Sequence, residues 1–151
     1  MSAVPGLRPA PDPAIVVGAL LALAGYLLPW FREQQGYAWS YSGWTYASLS
    51  TGGGWTLITL FWLALPLVAG LWARSSSGAA LTALVGTVAA SFFASAVVAV
   101  SFAEFREQGS INWIGSLPFD VGLPVLAAGL GLLVAGGVRA VVRTAAPRPA
   151  P

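Results

Sequence analysis

The chain contains no cysteine, no histidine, one methionine and few charges. Without cysteine there is no disulfide, no thiolate nucleophile and no thiolate metal site, so cysteine usage says nothing about redox compartment. Without histidine the commonest general base and the commonest metal and haem ligand are missing, and with Met1 as the lone methionine an axially ligated cofactor has little to bind it. Charged residues make up 8% of the 151. The seven basic ones are spread over loops and tails, so the net charge of +2 forms no stripe that could follow a phosphate backbone, and nucleic acid is set aside. What remains is apolar: 57% hydrophobic residues and a mean hydropathy of +0.77. That exceeds the roughly 45–50% apolar content of soluble domains and places the chain in the integral-membrane class.

Four apolar segments stand out, at 14–31, 55–73, 79–103 and 121–142. A helix rises about 1.5 Å per residue against a hydrocarbon core of roughly 30 Å, so each segment is read as a span. The expected fold is an all-α integral membrane protein, a four-helix transmembrane bundle with outer loops at 32–54 and 104–120. Residues 1–13, with four prolines, and the Pro/Ala tail 144–151 are expected to be disordered. Asp12-Pro13 opens the first helix: Asp accepts orphan backbone N–H bonds at the N-cap, and Pro at the first helical position has none to lose. A signal peptide ending at Ala22-Leu23-Ala24 is the competing reading, opposed by the Pro-rich, nearly uncharged stretch before it. Pro66 predicts a kink in the second segment.

The third segment repeats small residues every four positions at Ala83, Thr87, Ser91, Ser95 and Ala99, beside a row of Gly86, Ala90 and Ala94. Small faces let helix backbones approach and hydroxyls bond across, which places this helix centrally. The fourth segment has its own row at Ala127, Gly131 and Ala135. Arg8, Arg74, Arg139, Arg143 and Arg148 fall on one side of the spans, against Arg32 and Arg106 accompanied by Glu33, Glu104 and Glu107 on the other. The positive-inside rule then puts both termini in the cytoplasm.

The tetrapeptide Phe-Arg-Glu-Gln occurs twice, at 31–34 and 105–108, each time closing an apolar run. Two explanations stand: a tandem repeat of two helix hairpins, related by an axis along the membrane normal, or convergence on a good way to end a membrane helix. Either predicts that segments one and three end at the same depth, with Arg32 and Arg106 near Glu33, Glu104 and Glu107 in an outer charge cluster. Such wet pairs contribute roughly 0–1 kcal/mol each and set register more than stability.

No acidic or basic residue lies in the interior of a segment, which argues against a pump or an ion-coupled carrier. Glu104, Glu107 and Asp120 have no His, Lys or metal motif beside them and read as solvated ends, so no catalytic role is expected. An apolar pigment, a quinone or a lipid needs no ligating side chain and stays open. The richest stretch is the first outer loop, where Tyr37, Trp39 and Tyr41 alternate with small residues, Ser42-Gly43 offers a turn, and Trp44 and Tyr46 resume the alternation. Period two about a turn predicts a short β-hairpin. With Trp113 of the second outer loop, these aromatics are the expected partner or ligand contacts. Trp30, Trp55 and Trp113 read as an interfacial belt. The functional expectation is a non-catalytic accessory subunit of a larger membrane complex, with other membrane subunits and lipid as partners. The alternative is a small oligomeric transporter or channel-like protein for an uncharged or lipidic solute; a homo-oligomer fits either.

Gly25-Tyr26-Leu27-Leu28-Pro29-Trp30 followed by Ser42-Gly43-Trp44, with the glycine-rich 129–137 end, resembles a loose group of small uncharacterised four-span membrane proteins of Gram-positive and related bacteria. In that group an LPW closes the first span and an SGW precedes the second. The resemblance implies the four-span layout and a bacterial plasma membrane, and it brings no activity. The layout also resembles that of the claudin group, whose loop cysteine pair this chain lacks.

Overall fold

The computed structural model describes residues 9–31, 42–44, 54–107 and 119–146, with backbone alone at 54–56 and 101–107. Four helices account for most of them: α1 Pro13–Leu27, α2 Gly54–Gly70, α3 Ser77–Glu107 and α4 Gly122–Ala145. Two stretches, Ser77–Val100 and Gly122–Ala145, are long and apolar enough to cross a membrane, and α1 and 57–70 are shorter apolar helices. No strand occurs among the described residues; one isolated antiparallel bridge joins Phe31 to Phe119.

The helices form a closed ring in which each packs on the next and α4 returns to α1. The contacting residues make every neighbouring pair antiparallel. Ile15 meets Gly70 and Gly136, Gly25 meets Leu126, Pro66 meets Gly86, and Leu84 meets Gly137.

Local chemistry explains where α1 begins and ends. The Asp12 carboxylate accepts from the Ala14 N–H at 3.1 Å, and Pro13 takes the first helical position, as the sequence predicts. The helix stops at Leu27, short of the expected 31, because a residue before proline is pushed out of helical geometry; Leu28 is extended, with ψ 155°. Pro29 has no N–H to offer the Gly25 carbonyl four residues back. The Trp30 indole N–H takes its place at 2.9 Å, with its ring edge-on to Tyr26. Trp30 is therefore fully buried and is no part of an interfacial belt.

α1 and α4 form the tightest pair. A Cβ placed at Gly18, Gly25 or Gly129 would lie less than 3.0 Å from backbone atoms of the facing helix. These glycines recur at the heptad spacing, at 18 and 25 on α1 and at 122, 129 and 136 on α4, the period of a left-handed antiparallel seam. The row expected to pack, Ala127, Gly131 and Ala135, instead faces outward, and nothing lies within 4 Å of a Cβ at Gly131. A row every four residues runs on a different face from a row every seven, and the partner helix selects the latter.

On α3, Gly86, Ala90 and Ala94 are all buried, and Gly86 receives the ring of Pro66. Two expectations fail. Ser91 is half-buried and Ser95 exposed, and the hydroxyls of Thr87 and Ser91 donate to carbonyls of their own helix, Ala83 and Thr87, both at 2.8 Å, rather than across to a neighbour. Nor is α3 central. It exposes Leu81, Val85, Val88 and Phe92 along one stripe, because a four-helix ring leaves every member an outer face.

The two Phe-Arg-Glu-Gln copies sit in different settings. Phe31 lies four residues beyond the end of α1, bridged to Phe119, whereas Phe105, Arg106 and Glu107 continue the last turn of α3. Helical segments one and three therefore do not end alike.

Candidate functional site

Of the sequence-predicted contacts, Tyr37, Trp39, Tyr41, Tyr46 and Trp113 lie outside the described residues, as do Arg32 and Glu33 and the side chains of Glu104, Arg106 and Glu107. Trp44 is described and exposed. Gly43 and Trp44 have helical backbone at the place expected to turn a β-hairpin. Gly43 lies on the Tyr26 ring so closely that a Cβ there would fall less than 3.0 Å from it. Ser42 beside it is buried. The end bearing Trp30 is further laced by the Asp120 N–H to the Trp30 carbonyl at 2.9 Å and the Gly122 N–H to the Pro29 carbonyl at 3.0 Å. These contacts account for the Pro-Trp of LPW and the Ser-Gly of SGW as packing devices, while Trp44 stays exposed.

The densest chemistry is at the opposite end, built around a residue that the sequence singled out only as a helix cap. Asp12 is fully buried. Its carboxylate accepts from Arg139 at 3.0 Å and from Arg143 at 2.5 Å, and Arg74 Nε lies 3.7 Å away. Each arginine remains about half exposed, at 44–54% of its side chain. Arg139 and Arg143 are one turn apart near the C-terminus of α4, where cations offset the helix dipole. Arg74 comes from the turn joining α2 to α3. The chain before α1 is held there too, through the Asp12 N–H to the Gly70 carbonyl at 2.9 Å and the Arg74 N–H to the Ala10 carbonyl at 3.2 Å. Residues 10–13, expected to be disordered, are therefore held against the bundle, because the carbonyls at the end of α2 need donors and this segment supplies one.

The electrostatics follow from that geometry. Burial alone would push the Asp12 carboxyl up; the Arg143 hydrogen bond, the Ala14 N–H and Arg139 together outweigh it and hold the carboxyl below its ordinary value. Beside the cluster lies a cavity of about 740 Å³ lined by Arg74, Arg143, Thr144 and the Ser75-Ser76-Ser77 turn. A signal for this site was available: Arg139 and Arg143 share one helical face, and Asp12 is the lone acidic residue on the Arg-rich side.

Among the described residues no cluster of His, Cys, Asp or Glu suits a metal ion. Comparison with known proteins finds no matching family model, no matching curated protein and no matching solved structure.

Proposed function

We propose that this chain is a four-span protein of a bacterial plasma membrane, with both termini cytoplasmic, and that it acts as a non-catalytic accessory subunit of a larger membrane assembly. The observation that carries the reading is an apolar sheath around a closed interior. Phe92 is 69% exposed, Val88 61% and Phe61 60%, side chains that water would disfavour and that lipid or a partner helix would cover. Inside, backbone-to-backbone contact at the glycine seam leaves no room for a polar path between α1 and α4. The polar residues buried within the described helices are Thr59, beside the Tyr26 hydroxyl, and Thr87, bonded to its own helix. The outer aromatics and the apolar sheath are the docking surfaces of this reading.

Native mass spectrometry of the complex extracted gently from its source membrane tests it. Heterologous partners at fixed stoichiometry are the expected result. A lone monomer or homo-oligomer that carries solute flux in proteoliposomes would overturn the accessory role in favour of the transporter alternative.

A further inference from the structure

We propose that the cavity beside Asp12 is a binding site for a phosphate group, taken from an anionic phospholipid headgroup or from a soluble phosphate. Three arginines converge on one carboxylate, which leaves two positive charges over at this end of the bundle among the described residues. Two of those arginines, Arg74 and Arg143, also line the cavity. Arg74 approaches Asp12 through Nε and Arg143 through one terminal nitrogen, so most of the five N–H donors of each guanidinium remain for another acceptor. Their half-exposed forks come from different elements, the α2–α3 turn and the end of α4, and so reach one anion from two sides.

A third side is supplied by the start of α3. Ser76 caps that helix by accepting from the Ala79 N–H at 3.3 Å, which leaves its own hydroxyl hydrogen to donate. The first-turn N–H groups of Ser77 and Gly78 have no intrahelical acceptor. A Cβ at Gly78 would meet only the Ser76 Oγ, at 3.7 Å, so the backbone there is open to close approach. Two guanidiniums, the Ser76 hydroxyl and the Ser77 end of α3 around one cavity match a tetrahedral oxyanion better than a planar carboxylate, which a single Arg fork satisfies. The site also lies where the apolar helices end, at headgroup depth on the Arg-rich side, the setting in which basic pockets hold phospholipid headgroups. The lipid source rests on the membrane reading; the soluble source does not.

The test uses the full chain in a nonionic detergent, with inorganic phosphate, short-chain phosphatidylglycerol and short-chain phosphatidylcholine as probes at matched ionic strength. Bound probe is counted by native mass spectrometry, and affinity is read from the thermal shift. The decisive variant is Ser77→Glu, which places a carboxylate in the cavity beside Arg74 and Arg143, keeps Asp12 and all three arginines in the chain, and suits the first turn of a helix. The expected result is at least about tenfold weaker binding of the phosphate probe in Ser77→Glu, with the unliganded melting temperature unchanged or raised. Binding of both anionic probes identifies the phosphate group itself as the ligand; binding of phosphatidylglycerol alone identifies the headgroup. Equal binding of phosphatidylcholine, undiminished binding by Ser77→Glu, or no shift with either anion would overturn the proposal.

Discussion

At the scale of single residues, Asp12 does two separable things. It caps α1 and it neutralises part of a cationic cluster. Asn at an N-cap accepts the same bond as Asp, so Asp12→Asn keeps the cap and loses the charge, while Asp12→Ala loses both; the alanine variant is expected to be less stable by about a further 1 kcal/mol. The reciprocal change is more damaging. Removing Asp12 leaves half-exposed arginines that water can solvate, whereas the double variant Arg139→Gln with Arg143→Gln leaves a buried carboxylate with Arg74 as its one remaining cation, 3.7 Å away, with an expected loss of about 2 kcal/mol or more at neutral pH. The pH dependence should change sign between the two proteins. In the native chain the folded carboxyl lies below its unfolded value, so its contribution is complete above that value and is lost as pH falls through the folded one. In the double variant burial dominates and raises the folded value, so the protein gains stability as pH falls. Melting temperatures followed by tryptophan fluorescence between about pH 3 and about pH 8 check both slopes.

At the scale of elements, the glycine seam between α1 and α4 makes the sharpest contrast. Gly25→Ala and Gly129→Ala would push a methyl group into facing backbone, which cannot rotate away; each is expected to destabilise by about 1–3 kcal/mol. Gly131→Ala meets nothing and removes a poor helix former, so it should be neutral or stabilising by up to about 1 kcal/mol. Denaturant titration in detergent distinguishes the two outcomes. Equal effects at the two kinds of position would mean that the seam is not the contact that holds α1 to α4. Both rows are strings of small residues, and the sequence pointed to 127, 131 and 135 as the one that packs while the glycines at 122, 129 and 136 went unremarked. Whether a small residue packs depends on which face meets a partner, and a helix read alone has no partner.

At the scale of the whole molecule, the Arg-rich and aromatic-rich ends are opposite ends of an antiparallel ring. The membrane reading turns that polarity into a topology. A chain without cysteine gives a clean background for labelling. Ser48→Cys, in the first outer loop, should react with a membrane-impermeant maleimide on intact cells, and Ser75→Cys, beside Arg74, only after permeabilisation. Labelling of Ser75→Cys from outside would reverse the orientation, and recovery of the chain in the soluble fraction would end the membrane reading.

The sequence by itself determined the four helices found among the described residues and, within two residues, where each begins, because those depend on neighbours along the chain: an apolar run long enough to be a helix, and Asp12-Pro13 to start the first. It missed each helix end by three or four residues, α1 stopping at Leu27 before Leu28-Pro29 rather than at 31. It also separated a basic end from an aromatic one. Only the tertiary structure decided that Asp12 is buried among three arginines, that Trp30 supplies the donor that Pro29 lacks, and that α4 packs through 122, 129 and 136 rather than through 131. The first joins residues 127 and 131 positions apart, and the last is a choice of face. Such contacts are fixed by what lies across the bundle, and no local pattern encodes the identity of the residue on the other side.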